Sequence, residues 1–459
     1  DILVTMSQKE VRQLRKLLRS PFFVLREDVK RLFNCIADRH LKGRPIPSQE
    51  LVFQKTFPDA SPYEPLRLRG TMSDLLALIE EFLVITHRRD DKLTTRLLLT
   101  EIYRRRKLNK CYQSSVKKTA RLLEEQPKRN ADYYENMLGL QMEKMEYASS
   151  TKRTEHLYLQ EISDTNDVLY LIKKLQNACA QLSHQSVYKT HYDYGLLNHL
   201  LEVIEQERYM RIPAIAIYYY CFRFLTEEDK LEYFHQFKAQ LNAHKHQFTK
   251  EDLEAPYRLA LNFCIRKMNK GDGYFTREAW ELYKEGLEEE ILLENNYIPR
   301  FTFNNMIALA LLLQEFEWID GFIQNSTEKL EQELRDQTIS FNLARLAYAR
   351  RQYGEALLHL QSSEYKDLVN SLIAKMLLVK IYAELKEFES LVSHLDSFHQ
   401  FIRRREVSDY HRRNYLNIIR FVRKITMMGD YEKDKRANLR QEIRNEPVLS
   451  ERLWLLEQL

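Results

Sequence analysis

The stretch FNLARLAYARRQYGEALLHLQ, residues 341–361, reads as two amphipathic helices joined by a short junction. Leu343, Ala344 and Leu346 supply the apolar residues of the first helix, and Tyr353, Ala356 and Leu360 recur at helical spacing in the second. One such hairpin cannot hide the apolar faces of both helices, so it demands neighbours. The pattern returns on either side. KMLLVKIYAELKEFESLVSHLDSF, residues 375–398, sets Leu378 and Tyr382 on a first helix, then Phe388, Leu391 and Leu395 on a second. NNMIALALLLQEFEWIDGFI, residues 304–323, sets Phe316, Ile319 and Ile323 in the same order. The leading aromatic therefore falls at 316, 353 and 388, in steps of 37 and then 35 residues.

Composition agrees with helices throughout. The 459 residues include only 10 glycines and 11 prolines, the residues that strands, tight turns and phosphate loops use most. With 44% apolar and 30% charged residues the chain can bury two or three cores. The fold class expected is all-α. The most apolar stretch, IPAIAIYYYCFRFL at 212–225, carries Arg223 and is shorter than the roughly 20 residues a bilayer requires. No membrane partner is expected. The opening DILVTMSQKE has no basic head followed by an apolar block, so no secretory signal is expected either. Five cysteines (Cys35, Cys111, Cys179, Cys221, Cys264) lie far apart, which points to reduced, buried thiols in a cytoplasmic protein.

The hairpins of the last third resemble the tetratricopeptide-repeat family, whose unit is a helical hairpin of about 34 residues. Tyr353 and Ala356 match its junction aromatic and small packing residue, and Leu343 with Ala344 matches its close helix contact. Ala347 stands where the first-helix aromatic belongs, Leu391 and Ile319 replace alanine, and Leu368 stands where the closing proline belongs. The resemblance implies an α-solenoid of antiparallel hairpins behind a small helical N-terminal bundle. It divides the chain into a basic bundle (1–95), irregular hairpins (96–250), repeats (251–425) and a C-terminal helical cap (426–459). First helices line the inside of such arrays, so Phe341, Arg345, Tyr348, Met376 and Lys380 are the partner-binding residues implied. The Lys and Asn clamp of chaperone-binding relatives is not reproduced.

The first part holds most of the prolines, which cut it into short helices: MSQKEVRQLRKLLRS before Pro21, REDVKRLFNCIADRH, and SQELVFQKTF with Ser48 as N-cap and Pro58 beyond its end. A longer helix, LRLRGTMSDLLALIEEFLVI, aligns Leu68, Met72, Leu75, Ile79 and Phe82 or Leu83 on one face. Residues 51–83 also look like the helix, turn and recognition helix of winged-helix activators, with Arg67 and Arg69 as the groove-entering turn. Asp74, Glu80 and Glu81 on the same helix oppose that reading.

Residues 1–130 hold 28 Lys and Arg against 16 Asp and Glu, net +12, and the remainder is net −7. The asymmetry fits either two oppositely charged parts of one chain or an external polyanion. Two arginine clusters carry the polyanion reading: Arg104, Arg105, Arg106 and Lys107, then Arg403, Arg404, Arg405, Arg412 and Arg413 interleaved with Phe401, Tyr410 and Tyr415. Cations beside aromatics suit phosphates and stacked bases.

Catalytic motifs are missing from the sequence. No phosphate loop, nucleophile elbow, zinc-protease helix or calcium loop occurs, and GDG at 271–273 reads as a turn. In HKH at 244–246 the two imidazoles point apart on a helix, and no third ligand is close in sequence. The expectation is a non-enzymatic scaffold for a protein or peptide partner, without metal or cofactor. A nucleic-acid binder or transcriptional regulator is the alternative.

Overall fold

The computed structural model describes residues 2–23, 26–41, 43–45, 47–151, 156–188, 190–361, 368–407, 409–428 and 433–459. Among them every regular element is helical, and the β pairing present is an isolated bridge between Glu294 and Tyr297. None of the described helices is long and apolar enough to cross a membrane. The chain forms two compact units, Asp1–Lys174 with Glu202–Ile215, and Leu175–Leu201 with Ala216–Leu459.

The first unit opens with α1 (Ile2–Thr5), α2 (Gln8–Leu18), α3 (Glu27–His40), α4 (Gln49–Thr56) and α5 (Pro65–Asp90). Their ends follow the expected chemistry. Ser7 and Glu10 form a reciprocal cap on α2, Glu10 N donating to Ser7 Oγ at 3.3 Å and Ser7 N to the Glu10 carboxylate at 2.7 Å. Ser48 caps α4, and Pro65 occupies the first position of α5, where its missing N–H costs nothing. Val11, Leu14, Phe33, Phe53, Ile79 and Phe82 meet in one core. One expectation is corrected here: Met72 is 47% exposed, and the buried stripe of α5 runs through Thr71 instead. A threonine can be buried there because its hydroxyl donates to Arg67 O of its own helix at 3.2 Å.

Next come α6 (Lys92–Arg105), α7 (Asn109–Glu124) and α8 (Ala131–Thr151). Small hydroxyls fill the α6–α7 contact, with Thr100 Oγ1 at 2.8 Å from Ser115 Oγ. No strand follows α5 among the described residues, so the winged-helix resemblance lacks its wing.

The chain continues through α9 (Leu159–Val187), α10 (Leu197–Ile204), α11 (Glu207–Met210), α12 (Pro213–Thr226), α13 (Leu231–His244), α14 (Lys250–Asn269) and α15 (Tyr274–Glu288). Pro256 sits inside α14 and has no N–H for the carbonyl of Asp252; the Tyr218 hydroxyl donates to that oxygen at 3.2 Å. Phe224, Phe234, Phe237, Phe263 and Phe275 form a fully buried aromatic core beside it. Burial raises the thiol pKa values of Cys179, Cys221 and Cys264, whereas Cys35 is half-buried and Cys111 is exposed, against the expectation for both.

The last third comprises α16 (Arg300–Leu312), α17 (Phe316–Ser326), α18 (Arg335–Ala349), α19 (Tyr353–Gln361), α20 (Leu368–Glu384), α21 (Phe388–Arg404), α22 (Asp409–Thr426), α23 (Lys433–Asn445) and α24 (Arg452–Glu457). Helices pack on chain neighbours, α18 on α19 and α20 on α21, and alternate ones meet, α16 on α18 and α18 on α20. One junction recurs. Gln314, Arg351 and Lys386 each adopt a left-handed conformation (φ 61°, 61° and 58°). In each case the following N–H donates to the carbonyl five residues back: Glu315 to Ala310 at 2.9 Å, Gln352 to Ala347 at 2.8 Å, Glu387 to Tyr382 at 3.0 Å. This cap satisfies the last carbonyls of the first helix and starts the second within two residues.

The aromatics that open the second helices do not interlock alike. Phe316 and Tyr353 are half-buried, while Phe388 is 53% exposed and Leu391 holds the core position of its helix. In the C-terminal part, Leu439, Ile443, Trp454 and Leu455 share one core with Leu372, Val379 and Phe398.

Candidate partner-docking face

Alanines decide how closely α18 and α20 approach. Ala344, Ala347 and Ala374 pack with Phe341, Leu377 and Ile381 in a single cluster, leaving the next positions round α18 to a polar stripe. Asn304 of α16, Asn342 of α18 and Asn370 of α20 are all buried. Asn342 Nδ2 donates to Asn304 Oδ1 at 2.7 Å and to Thr338 O at 2.9 Å, and Asn304 Nδ2 donates to Asn370 Oδ1 at 3.4 Å. Buried amides satisfied in this way fix the register of three first helices.

Arg345 extends that stripe. Its Nη1 donates to Asn304 O and to Asn342 Oδ1, both at 3.2 Å, and its guanidinium lies 5.5 Å from the Phe341 ring centre. Among the described residues no carboxylate comes within 4.0 Å of it, and Nε and Nη2 donate to none of them. Burial pushes its pKa down to about 10, so it remains a cation at neutral pH. The side chain is thus held on one edge, and the other edge of the fork is unused.

One turn along, the face is covered by the chain itself. Lys380 Nζ pairs with Glu451 at 2.5 Å and lies 5.7 Å from the Trp454 ring and 6.0 Å from that of Tyr348. Trp454 Nε1 and Gln458 Nε2 both donate to Glu384 Oε1, at 3.2 and 2.9 Å. Asn414 fastens the segment from below, accepting from Ser450 N at 2.7 Å, and Arg420 pairs with Glu446 at 2.8 Å. Burial and the nearby glutamates raise the pKa of the Tyr348 hydroxyl.

Of the five residues expected to bind a partner, two are placed where none can reach them. Phe341 and Met376 are core side chains, 2% and 4% exposed, Phe341 in the alanine-rich seam and Met376 in the separate cluster with Leu372, Val379 and Leu395. Tyr348 and Lys380 lie under the 446–458 segment, whereas Arg345 has no carboxylate partner among the described residues. The residues missed were Asn304, Asn342, Asn370, Glu384, Glu451 and Trp454. Asn304 and Asn342 stand 38 residues apart, a repeat-like step that could have flagged the pair.

The arginine clusters also separate. Arg104 is clamped by Glu143, Nε and Nη2 donating at 2.8 and 3.0 Å, and by Glu146, so it ties α6 to α8 rather than facing a polyanion. Arg105 pairs with Glu101 on its own helix, and Arg106 and Lys107 are exposed at the α6–α7 junction. At the α21–α22 turn, Arg403, Arg404, Arg405 and Arg413 are exposed, and Arg412 is half-buried with Nη2 donating to Arg405 O at 3.4 Å. None of these five pairs with an acid among the described residues. No group of three His, Cys, Asp or Glu among the described residues could hold a metal ion.

No family model matches the chain, and no match was found among the curated proteins or the solved structures.

Proposed function

We propose that this protein is a non-enzymatic scaffold of degenerate tetratricopeptide-like hairpins, and that it takes an acidic segment of a partner protein at Arg345. The unused Nε–Nη2 edge of that arginine carries the reading. A guanidinium half-removed from water without a counter-charge is costly, and a carboxylate arriving in the fork offsets that cost with two charge-assisted hydrogen bonds. The adjoining turn of the face already accommodates an acid and an aromatic from residues 446–458, which supports a protein partner of similar chemistry. The recurrent left-handed junctions at 37 and 35 residues support the repeat assignment.

Affinity purification from the native host, with and without nuclease, tests the proposal. A partner that survives nuclease, is lost with Arg345→Gln and is retained with Arg403, Arg404 and Arg405 changed to Gln fits it. Identical partner sets for both variants would overturn it.

The second reading is nucleic-acid binding, favoured by the five arginines of the α21–α22 turn. Here the triple Gln variant would lose binding, and affinity would fall steeply with salt. An absence of any shift with DNA or RNA at low salt removes it.

A further inference from the structure

We infer that the groove between α2 and the C-terminal half of α5 is a second docking surface, shaped and charged for an acidic amphipathic helix of a partner protein. The cavity measures about 980 Å³, which is the volume of roughly two turns of helix with side chains. Its floor is apolar. Leu17, Phe23 and Leu83 are half-buried and packed on the core of the first unit, with Phe82 beneath them. Of the lining residues Val84 is 56% exposed, and Phe22, packed edge-on against the lining residue Phe23 at 5.0 Å, is 87% exposed.

The rim is cationic on both walls. Lys9 and Lys16 stand two turns apart on one stripe of α2, and Arg88 and Arg89 lie in the last turn of α5. All four are exposed, and none pairs with an acid among the described residues. The nearest acid on the α2 wall is already engaged, since Glu10 accepts from Ser7 N at 2.7 Å and Ser7 Oγ at 2.6 Å as the helix cap. Of the lining residues only Asp90 and Glu10 are negative.

This combination selects among occupants. Phosphates would use the cations and leave the apolar floor wet, whereas a helix with a leucine stripe flanked by glutamates buries the floor and meets both cationic walls at once. The occupant is therefore a protein helix, acidic at its flanks and apolar along one face.

The test uses the full chain and fluorescence anisotropy at about 150 mM salt. The probes are three designed helical peptides: a leucine stripe with flanking glutamates, the same with serine for leucine, and the same with lysine for glutamate. A single-stranded oligonucleotide is the fourth. The acidic apolar peptide should bind at least tenfold more tightly than each of the others. Val84→Glu should weaken it about tenfold, as should the pair Lys16→Glu and Arg89→Glu. All three residues are exposed, so the fold is preserved, and an unchanged melting curve checks that. Arg345→Gln should leave this affinity unchanged, which separates the groove from the face proposed above. Equal binding of the serine peptide, tighter binding of the oligonucleotide, or indifference to Val84→Glu would overturn the inference.

Discussion

Arg345 illustrates what one side chain can cost and supply together. A half-buried cation without an acid destabilises the folded chain, and an unbranched apolar side chain of similar length removes that penalty. Arg345→Met is expected to raise stability by about 1 kcal/mol while abolishing capture of an acidic partner, as urea titration and pull-down would show. A loss of stability would mean that the two hydrogen bonds to Asn304 and Asn342 outweigh desolvation. His394 provides a pH effect of definite sign. Burial, followed by the Lys375 charge, lowers its pKa below the usual 6.5, although its bond to the Lys375 carbonyl opposes this. The unfolded chain thus takes up a proton as pH falls through 6.5 before the folded chain does, and stability present above that pH is lost below it. His394→Gln should remove this part of the acid-side decline, measured as unfolding midpoint against pH.

At the scale of elements, the junctions at Gln314, Arg351 and Lys386 are where local sequence and conformation disagree. Each places a Cβ in the left-handed region, which glycine alone occupies without penalty. Lys386→Gly and Gln314→Gly are each expected to stabilise by about 0.5 kcal/mol, read as a higher urea midpoint. Gly271→Ala should act in the opposite direction, because Gly271 has φ +94° and an added Cβ meets no atom within 4 Å, leaving backbone strain as the sole effect. The helices themselves were legible in the sequence, since apolar spacing and caps such as Ser48 are local signals. So was the spacing of the recurring junctions, through the steps between Phe316, Tyr353 and Phe388. What spacing could not show is which face of α21 turns inward, and there Leu391 displaced Phe388. The candidate face was half legible. Arg345 and Lys380 do lie on α18 and α20, but the burial of Phe341 in the alanine seam and of Met376 against Leu391 and Leu395 of α21 depends on how near the helices come.

On the scale of the whole molecule, the deciding contacts join residues remote in sequence, and no local pattern announces them. Lys380 and Glu451 are an example, as are Glu384 and Trp454, 70 residues apart. A double-mutant cycle on Lys380→Ala and Glu451→Ala should give a coupling of about 1 kcal/mol, since both side chains are mostly buried, at 19% and 28% exposed. Trp454→Ala should cost about 3 kcal/mol, and a value near zero would mean that the 446–458 segment contributes nothing to the fold.

That indole has a further use. The chain contains three tryptophans, and Trp280 and Trp318 lie together with ring centres 4.3 Å apart, far along the chain from Trp454. With those two changed to phenylalanine, emission would come from Trp454 alone. Its wavelength would then report in real time whether the segment is seated on α20 or has been lifted into water, giving the protein a built-in optical gauge of access to the very face where a partner is proposed to dock.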